Sequence, residues 1–235
     1  MKNMIIVCII FIMLLCLVSY GIDYFFYLKN KYCRFHIGHW NRNDWEQAIE
    51  KRAIKWLRRT PTVKITDNSR YMLLDFLNGK YKSNTIQSWQ KAALILGLLE
   101  NESKEVQKVA RKTAESLIDV TGNWKKKPVA VDCGMLFYAI LKAVSDPLKI
   151  KPAMDYSIEI IKKSINKEGM ISYTGEIDNP DMYVDTIGLV CPFLTLYAAI
   201  FDDREWEDIA FYQIKMFHQY GLYENTALPN HAFHI

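Results

Sequence analysis

Two stretches of sequence decide the fold: VDCGMLFYAIL at residues 131–141 and VDTIGLVCPFLTLYAAI at residues 184–200. Each opens with Val-Asp and continues as an apolar segment, and Asp132 and Asp185 lie 53 residues apart. An amphipathic segment follows each of them, at 152–165 and at 206–219. An apolar helix is buried on most sides, and an amphipathic helix on one side. The pattern therefore predicts a tandem array of helical hairpins with a period of roughly 45–55 residues.

The same helical spacing of apolar residues recurs along most of the chain. It predicts an all-α protein with helices at 44–59, 70–78, 85–100, 105–119, 130–144, 152–165, 184–200 and 206–219. Strand signals are confined to a short extended stretch at 170–173. Long links at 120–129, 166–183 and 220–233 return from the amphipathic helices, and the first two lead to the next apolar helix.

Stacked hairpins form either an open solenoid or a closed ring of inner and outer helices. In a ring, the long links and the N-termini of the inner helices gather at one end. The partial positive charge of those N-termini favours an anionic ligand. Because Asp132 and Asp185 each begin an apolar helix, we expect both to face one funnel if the ring closes.

The N-terminal segment is predicted to be a membrane or export element. Residues 4–22 contain no charged side chain, and a helix of that length spans about 28 Å, enough to cross a hydrocarbon core. An uncleaved anchor is favoured over a cleaved signal peptide, for which Ser19 and Gly21 would supply the small residues. We expect residues 1–28 to be the anchor or signal segment, 29–43 a linker, and 44–235 a body outside the cytoplasm.

The net charge of +4 is distributed unevenly over the 235 residues. Residues 1–34 carry a net charge of +3, whereas the other 201 residues carry 26 basic and 25 acidic side chains. A nucleic-acid-binding protein usually has a basic surplus in its folded body, so no nucleic-acid partner is expected. The five cysteines form no CxxC pair and no cluster with histidine, so the sequence predicts neither a metal site nor a disulfide framework.

The stretch YVDTIGLVCPFLTLYA at residues 183–198 resembles a motif of the unsaturated glycuronyl hydrolases, glycoside hydrolase families 88 and 105. That motif runs aromatic-x-Asp, then, after a few residues, Pro-Phe-Leu and an aromatic-Ala pair. GMISY at 169–173 resembles the family's Gly-rich turn, and VDCG at 131–134 lies where the family has its other acidic residue. ALPNHAF at 227–233 resembles its Leu-x-x-His-Ala-aromatic segment, and the resemblance covers about residues 65–235.

The resemblance implies an (α/α)6 toroid of six helical hairpins, with no metal and no cofactor. It implies removal of a 4,5-unsaturated uronic acid from an oligosaccharide by addition of water across the vinyl ether. By position, Asp185 resembles the family's acid/base aspartate. Asp132 resembles its partner, which orients the substrate or tunes Asp185 through like charge. His231 would contact the substrate, and Tyr183 stands where the family usually has a tryptophan.

Two tryptophans are further candidates for substrate contacts, because aromatic rings stack on sugar faces. Trp124 lies in a long link ahead of three lysines at 125–127, which would attract a uronate. Trp89 lies in a predicted apolar helix, where core packing is favoured over a sugar contact.

The chain departs from the family in the number of hairpins. Three inner/outer hairpins and an N-terminal helical portion are recognisable, whereas a six-hairpin ring needs about twelve helices. A half ring exposes an apolar flank, so we expect a longer protein, a partner chain over that flank, or a degenerate domain. Two other functions stay open: a non-catalytic carbohydrate-binding module and a membrane-associated helical-repeat interaction protein.

Overall fold

A computed structural model of the chain describes residues 2–32, 41–58, 86–173, 182–224 and 226–233. The described part is all-α, as predicted, apart from one pair of short strands. Its helices are α1 (Lys2–Tyr32), α2 (Arg42–Arg58), α3 (Ser88–Leu99), α4 (Lys104–Glu115), α5 (Gly134–Ala143), α6 (Lys151–Lys162), α7 (Asp185–Leu189), α8 (Cys191–Phe201) and α9 (Arg204–Tyr220). Single 3-10 turns precede α5 and α6, at Val131–Cys133 and Pro147–Ile150. The strands β1 (Met182–Tyr183) and β2 (Ala232–Phe233) pair antiparallel.

The chain divides into two compact units, with the boundary inside α2. Of the described residues, the first unit comprises α1, residues 41–51 and Ile86. The second comprises residues 52–58 and all described residues from Gln87 onward.

In the first unit, α1 contains an apolar segment that is long enough to cross a membrane, Met4–Phe25. Its described side chains are exposed or half-buried, and the rings of Tyr20 and Tyr24 stack with centroids 6.3 Å apart. This confirms an N-terminal helix that is long and apolar enough to span a membrane or to be a signal sequence. The helix continues to Tyr32, four residues beyond the predicted end of the segment.

In the second unit, the apolar helices form one row and the amphipathic helices pack against them. α5 lies between α3 and α8, while α4 packs on α3, α6 on α5 and α9 on α8. Seven of the ten residues of α5 are buried. α4 buries only Val106, Ala110 and Ala114, which recur every fourth residue on one face. The three hairpins α3–α4, α5–α6 and α8–α9 therefore bury their apolar sequence in a shared core.

A chain of aromatic rings joins the apolar helices. Trp124 lies 5.5 Å from Phe137, and Phe137 lies 5.3 Å from Phe193, between ring centroids. The chain continues through Tyr197 to Phe201, at 5.9 and 4.7 Å. These tilted and edge-on geometries suit the quadrupoles of aromatic rings. Phe137 and Phe193 are fully buried, so this chain runs through the centre of the core.

The loop that follows α4 is repeated after α6. Asp119 accepts hydrogen bonds at Oδ1 from the amides of Thr121 and Asn123, at 2.8 and 3.0 Å. At the equivalent place, Asn166 accepts at Oδ1 from the amides of residues 168 and 170, at 3.1 and 2.8 Å. Both loops contain a glycine with positive φ, and one residue pair bridges the base of each: Ile118 with Trp124, and Ile165 with Ile171. The tandem repeat therefore extends into the loops.

The structure corrects one predicted helix. The stretch 184–200 was expected to be continuous, but α7 ends at Leu189 and α8 begins at Cys191. Pro192 has no N–H to donate to the preceding turn, and its ring clashes with the carbonyl four residues earlier, so a helix is interrupted there.

The remaining differences concern short elements. The pair β1–β2 was not predicted, because two-residue strands leave no alternating pattern to detect. In the stretch 170–173, Ile171 makes one isolated bridge. The predicted helix at 70–78 lies outside the described residues.

We predict that Gly122→Ala destabilises the protein more than Gly169→Ala. Both glycines have positive φ, +81° and +79°, where a side chain costs about 1–2 kcal/mol. A Cβ at residue 122 would also lie 2.0 Å from the carbonyl oxygen of Lys149, whereas a Cβ at residue 169 would meet only the ring of Tyr212, at 3.2 Å. Thermal unfolding of the full chain by circular dichroism should show the larger drop in Tm for Gly122→Ala. Equal drops would contradict the backbone clash.

A second prediction concerns acid stability. Hydrogen bonds from Thr121 and Asn123 lower the pKa of Asp119 below its ordinary value of about 3.9. The stabilisation is therefore present above that ordinary value and is lost as the pH falls through the lowered one. Asp119→Asn copies residue 166 of the other loop, keeping an acceptor oxygen but removing the titration. Between pH 5 and pH 3, we expect Tm to fall further in the wild type than in Asp119→Asn, and parallel curves would contradict this.

Candidate active site

The two aspartates lie at the starts of neighbouring helical segments. Asp132 is in the 3-10 turn before α5, and Asp185 is the first residue of α7. This turn and α7 pack against each other. Both aspartates are half-buried, so each carboxylate retains access to solvent.

Tyr173 lies near both carboxylates. Partial burial, together with the negative charges of Asp132 and Asp185, raises the pKa of the Tyr173 phenol. The structure thus brings the two sequence-predicted aspartates into one electrostatic environment. The phenol stays protonated at neutral pH, because its ordinary pKa is already about 10, and it can donate a hydrogen bond.

Gly134 permits the close packing behind this site. A Cβ built on Gly134 would lie 2.5 Å from the carbonyl oxygen of Leu189 and 3.1 Å from Cα of Val190. The first turn of α5 therefore meets the end of α7 backbone to backbone. Because Gly134 is two residues after Asp132, this contact also fixes the spacing between the two aspartate-bearing segments.

His231 reaches the site through the strand pair β1–β2. Met182 pairs with Phe233 and Tyr183 with Ala232, and the carbonyl of His231 accepts from the amide of Val184 at 3.1 Å. Phe233 is buried against the ring of Phe217 at 5.7 Å between centroids, which anchors the segment.

The His231 imidazole then lies beside Asp185. Its Nδ1 is 3.7 Å from Oδ2 of Asp185, and the two side chains are 75% and 45% exposed. Solvent screening keeps the stabilisation from such an exposed pair small. The two side chains are therefore neighbours at 3.7 Å that contribute little to the stability of the fold.

Three rings form a wall beside the carboxylates. Tyr173 lies 5.9 Å from Tyr183, and Tyr183 lies 5.6 Å from His231 in an edge-on contact. Tyr183 and His231 are both predicted site residues, and the structure brings them together with Asp185. Tyr173 was not predicted as a site residue; its only sequence signal was the position at the end of the GMISY turn.

The N-terminus of α3 borders the Asp132 segment. The Cys133 thiol donates to Oγ of Ser88 at 3.3 Å, and burial raises the pKa of this thiol. Trp89 follows Ser88, is 38% exposed, and donates its indole N–H to the side chain of Gln87. Trp89 therefore has an accessible face and is not a core residue, contrary to the core packing that the sequence favoured.

Trp124 does not offer a face to a sugar, contrary to the role predicted from the sequence. It is 7% exposed, and its indole N–H donates to the carbonyl of Ala153 at 2.8 Å. The lysines that follow it are partly engaged as well. Lys125 donates to the carbonyl of Ser116 at 2.9 Å, and Lys127 lies over the ring of Tyr156 at 5.0 Å. Trp124 therefore belongs to the hydrophobic core, and Lys125 and Lys127 contact neighbouring parts of the same fold.

The chemistry available here is that of proton transfer. Asp132, Asp185, Tyr173 and His231 lie on neighbouring segments, and carboxylate, phenol and imidazole groups are of the kinds that act in general acid–base catalysis. Among the described residues, no group of three or more histidine, cysteine, aspartate or glutamate side chains is placed to hold a metal ion.

The chain matches no protein-family model, and no curated protein matches its sequence.

We predict that Gly134→Ala destabilises the protein by about 1–3 kcal/mol, the usual cost of overpacking, because its Cβ would meet backbone atoms. Gly97→Ala in α3 is the matched control. A Cβ there would meet nothing within 4 Å, so alanine should stabilise the helix by about 0.5–1 kcal/mol. Chemical denaturation of the full chain measures both. A neutral Gly134→Ala would contradict the close backbone contact.

Proposed function

We propose that this chain is an unsaturated glycuronyl hydrolase and that its hairpins belong to an (α/α)6 toroid. The supporting observation is the grouping of Asp185, Asp132, Tyr173 and His231 around the starts of α5 and α7. The motif resemblance assigns an acid/base role to Asp185, and the packing of these segments leaves its carboxylate accessible. The substrate class is an oligosaccharide with a 4,5-unsaturated uronic acid at its non-reducing end.

In this proposal, Asp185 carries both proton transfers. Its carboxylic acid protonates C4 of the unsaturated sugar, and the carboxylate that results takes a proton from water. The water oxygen bonds to C5, so the double bond is converted to a hemiketal. Ring opening breaks the C5–O5 bond, which gives a ketone at C5 and a hemiacetal at C1. The hemiacetal then collapses to an aldehyde and releases the rest of the oligosaccharide as an alcohol. Such general acid/base catalysis contributes typically 10²–10⁴-fold to the rate.

The neighbouring groups position the sugar. Asp132, on the turn that packs against α7, orients the substrate beside Asp185. In the wall of three rings, Tyr173 and Tyr183 provide flat apolar area for a sugar ring. His231 and the exposed face of Trp89 would contact the substrate at the border of the site.

We further propose that the body acts outside the cytoplasm, tethered by α1 or released from it. The apolar segment Met4–Phe25 supports a membrane or export element. Polysaccharide lyases that act on extracellular polymers would supply unsaturated oligosaccharides there.

A second candidate is a non-catalytic carbohydrate-binding module. The Asp185 side chain is 45% exposed, whereas carboxylic acids that give up a proton near neutral pH usually sit in closed, apolar surroundings. Binding to the aromatic wall would not require that closure.

The experiment is hydrolysis of lyase-generated unsaturated disaccharides by the full chain, followed by loss of their ultraviolet absorbance. We expect Asp185→Asn to lower kcat by roughly 10²-fold or more. Asp202→Asn is the matched control, because residue 202 is exposed at the other end of α8 and asparagine also tolerates its φ of +56°.

The outcomes separate the two candidates. Full activity of Asp185→Asn would contradict the mechanism. If calorimetry detects binding of the disaccharides to both forms and the wild type does not hydrolyse them, the chain is a binding module and not a hydrolase.

A further inference from the structure

The outer face of α9 presents apolar side chains to solvent. The opposite face is buried through Trp206, Ala210 and Gln213. The Gln213 side chain fixes this orientation, because it accepts from the amide of Ile171 at 2.9 Å and donates to the carbonyl of Gly169 at 2.9 Å. On the outer face, Phe211 is 58% exposed and Ile214 is 41% exposed.

These exposed side chains belong to a continuous strip. A shallow groove on α9 is lined by Asp208, Phe211, Tyr212, Ile214, Lys215 and His218. The spacings of three, four and seven residues place Asp208, Phe211, Lys215 and His218 on one side of the helix. Continuous apolar patches on a protein surface mark interaction sites, and exposed aromatic residues are typical anchors of such sites.

The charges on the strip differ between the two halves of the helix. Arg204, Glu205, Glu207 and Asp208 lie in the first half, which is acidic overall, and Lys215 lies in the second. Asp208 and Lys215 are equally far from the midpoint between residues 211 and 212. A two-fold axis through that midpoint would place each Asp208 opposite Lys215 of another copy. Phe211 and Tyr212 would then meet across the axis, and Arg204 would lie opposite Gln219.

We propose that α9 is a self-association surface, which pairs antiparallel with α9 of a second copy of this chain. Self-complementarity is the requirement of an isologous two-fold interface, and the charge pattern of the strip meets it. The antiparallel arrangement also places the positive end of each helix dipole beside the negative end of the other. An unrelated partner would require no such internal symmetry. The surface is separate from the aspartate site, so this inference does not depend on the proposed hydrolase activity.

The size of the strip predicts a weak dimer. A contact between one helix and its copy falls at the low end of protein interfaces, below about 1,200 Å² in total, where complexes are weak and transient. We therefore expect a dissociation constant in the micromolar range, on the order of 1–100 μM.

Sedimentation velocity of the full chain in detergent, over a range of concentrations, tests the dimer. Asp208→Lys and Lys215→Glu should each weaken dimerisation by about threefold to tenfold, because each creates two like-charge pairs across the axis. The double variant Asp208→Lys/Lys215→Glu exchanges the charges and should restore the wild-type constant within about twofold. Lys112→Glu, an exposed charge reversal on α4, should leave the dissociation constant unchanged.

A zero-length carbodiimide cross-link between Asp208 and Lys215, formed between isotopically light and heavy copies, identifies the geometry directly. A monomer at 100 μM would overturn the proposal. So would a dimer that is insensitive to the charge reversals, because α1 or another surface would then hold it. A double variant as weak as the single variants would also overturn it, since the strip would then face a different occupant.

Discussion

At Gly134, the backbone of α5 approaches the carbonyl of Leu189 so closely that a Cβ would lie 2.5 Å from the oxygen. This contact joins the segment that carries Asp132 to the segment that carries Asp185. The other site residues lie on elements connected to these segments. β1 directly precedes α7 in the sequence, and it pairs with β2, which directly follows His231. A side chain at residue 134 would separate the two segments and widen the space between their carboxylates.

The hydrophobic core and the loops make different contributions to the site. Apolar helices hold the hairpins together through buried rings such as Phe137 and Phe193. The repeated loops are shaped by one side-chain oxygen each, from Asp119 or Asn166, and by a glycine with positive φ. The second loop, which follows α6, ends at Tyr173 and places the Tyr173 ring near the two aspartates. The segment after α9 is built differently, and its pairing with β1 places His231 beside Asp185.

The electrostatics of the site are consistent with proton transfer in a partly open environment. Negative charge from two aspartates acts on Tyr173, and the pair between His231 and Asp185 is solvent-exposed. Both proposed roles, hydrolysis and binding, use the same carboxylates, phenol and imidazole. Proton transfer near neutral pH also requires that water be excluded when the ligand binds. Hydrolysis and binding therefore differ in how completely the occupied site closes.

The sequence by itself determined the all-α class, the order of apolar and amphipathic helices, and the N-terminal apolar segment, because these follow from hydrophobic periodicity along the chain. It also marked Asp132 and Asp185, since both begin an apolar helix after valine. For Trp124 and Trp89 the sequence was a poor guide, since it favoured core packing for Trp89. Only packing shows that the first is buried beside Phe137 while the second has an exposed face. The roles of Tyr173 and Gly134 were likewise decided by the tertiary structure, because they depend on contacts between residues that are distant along the chain.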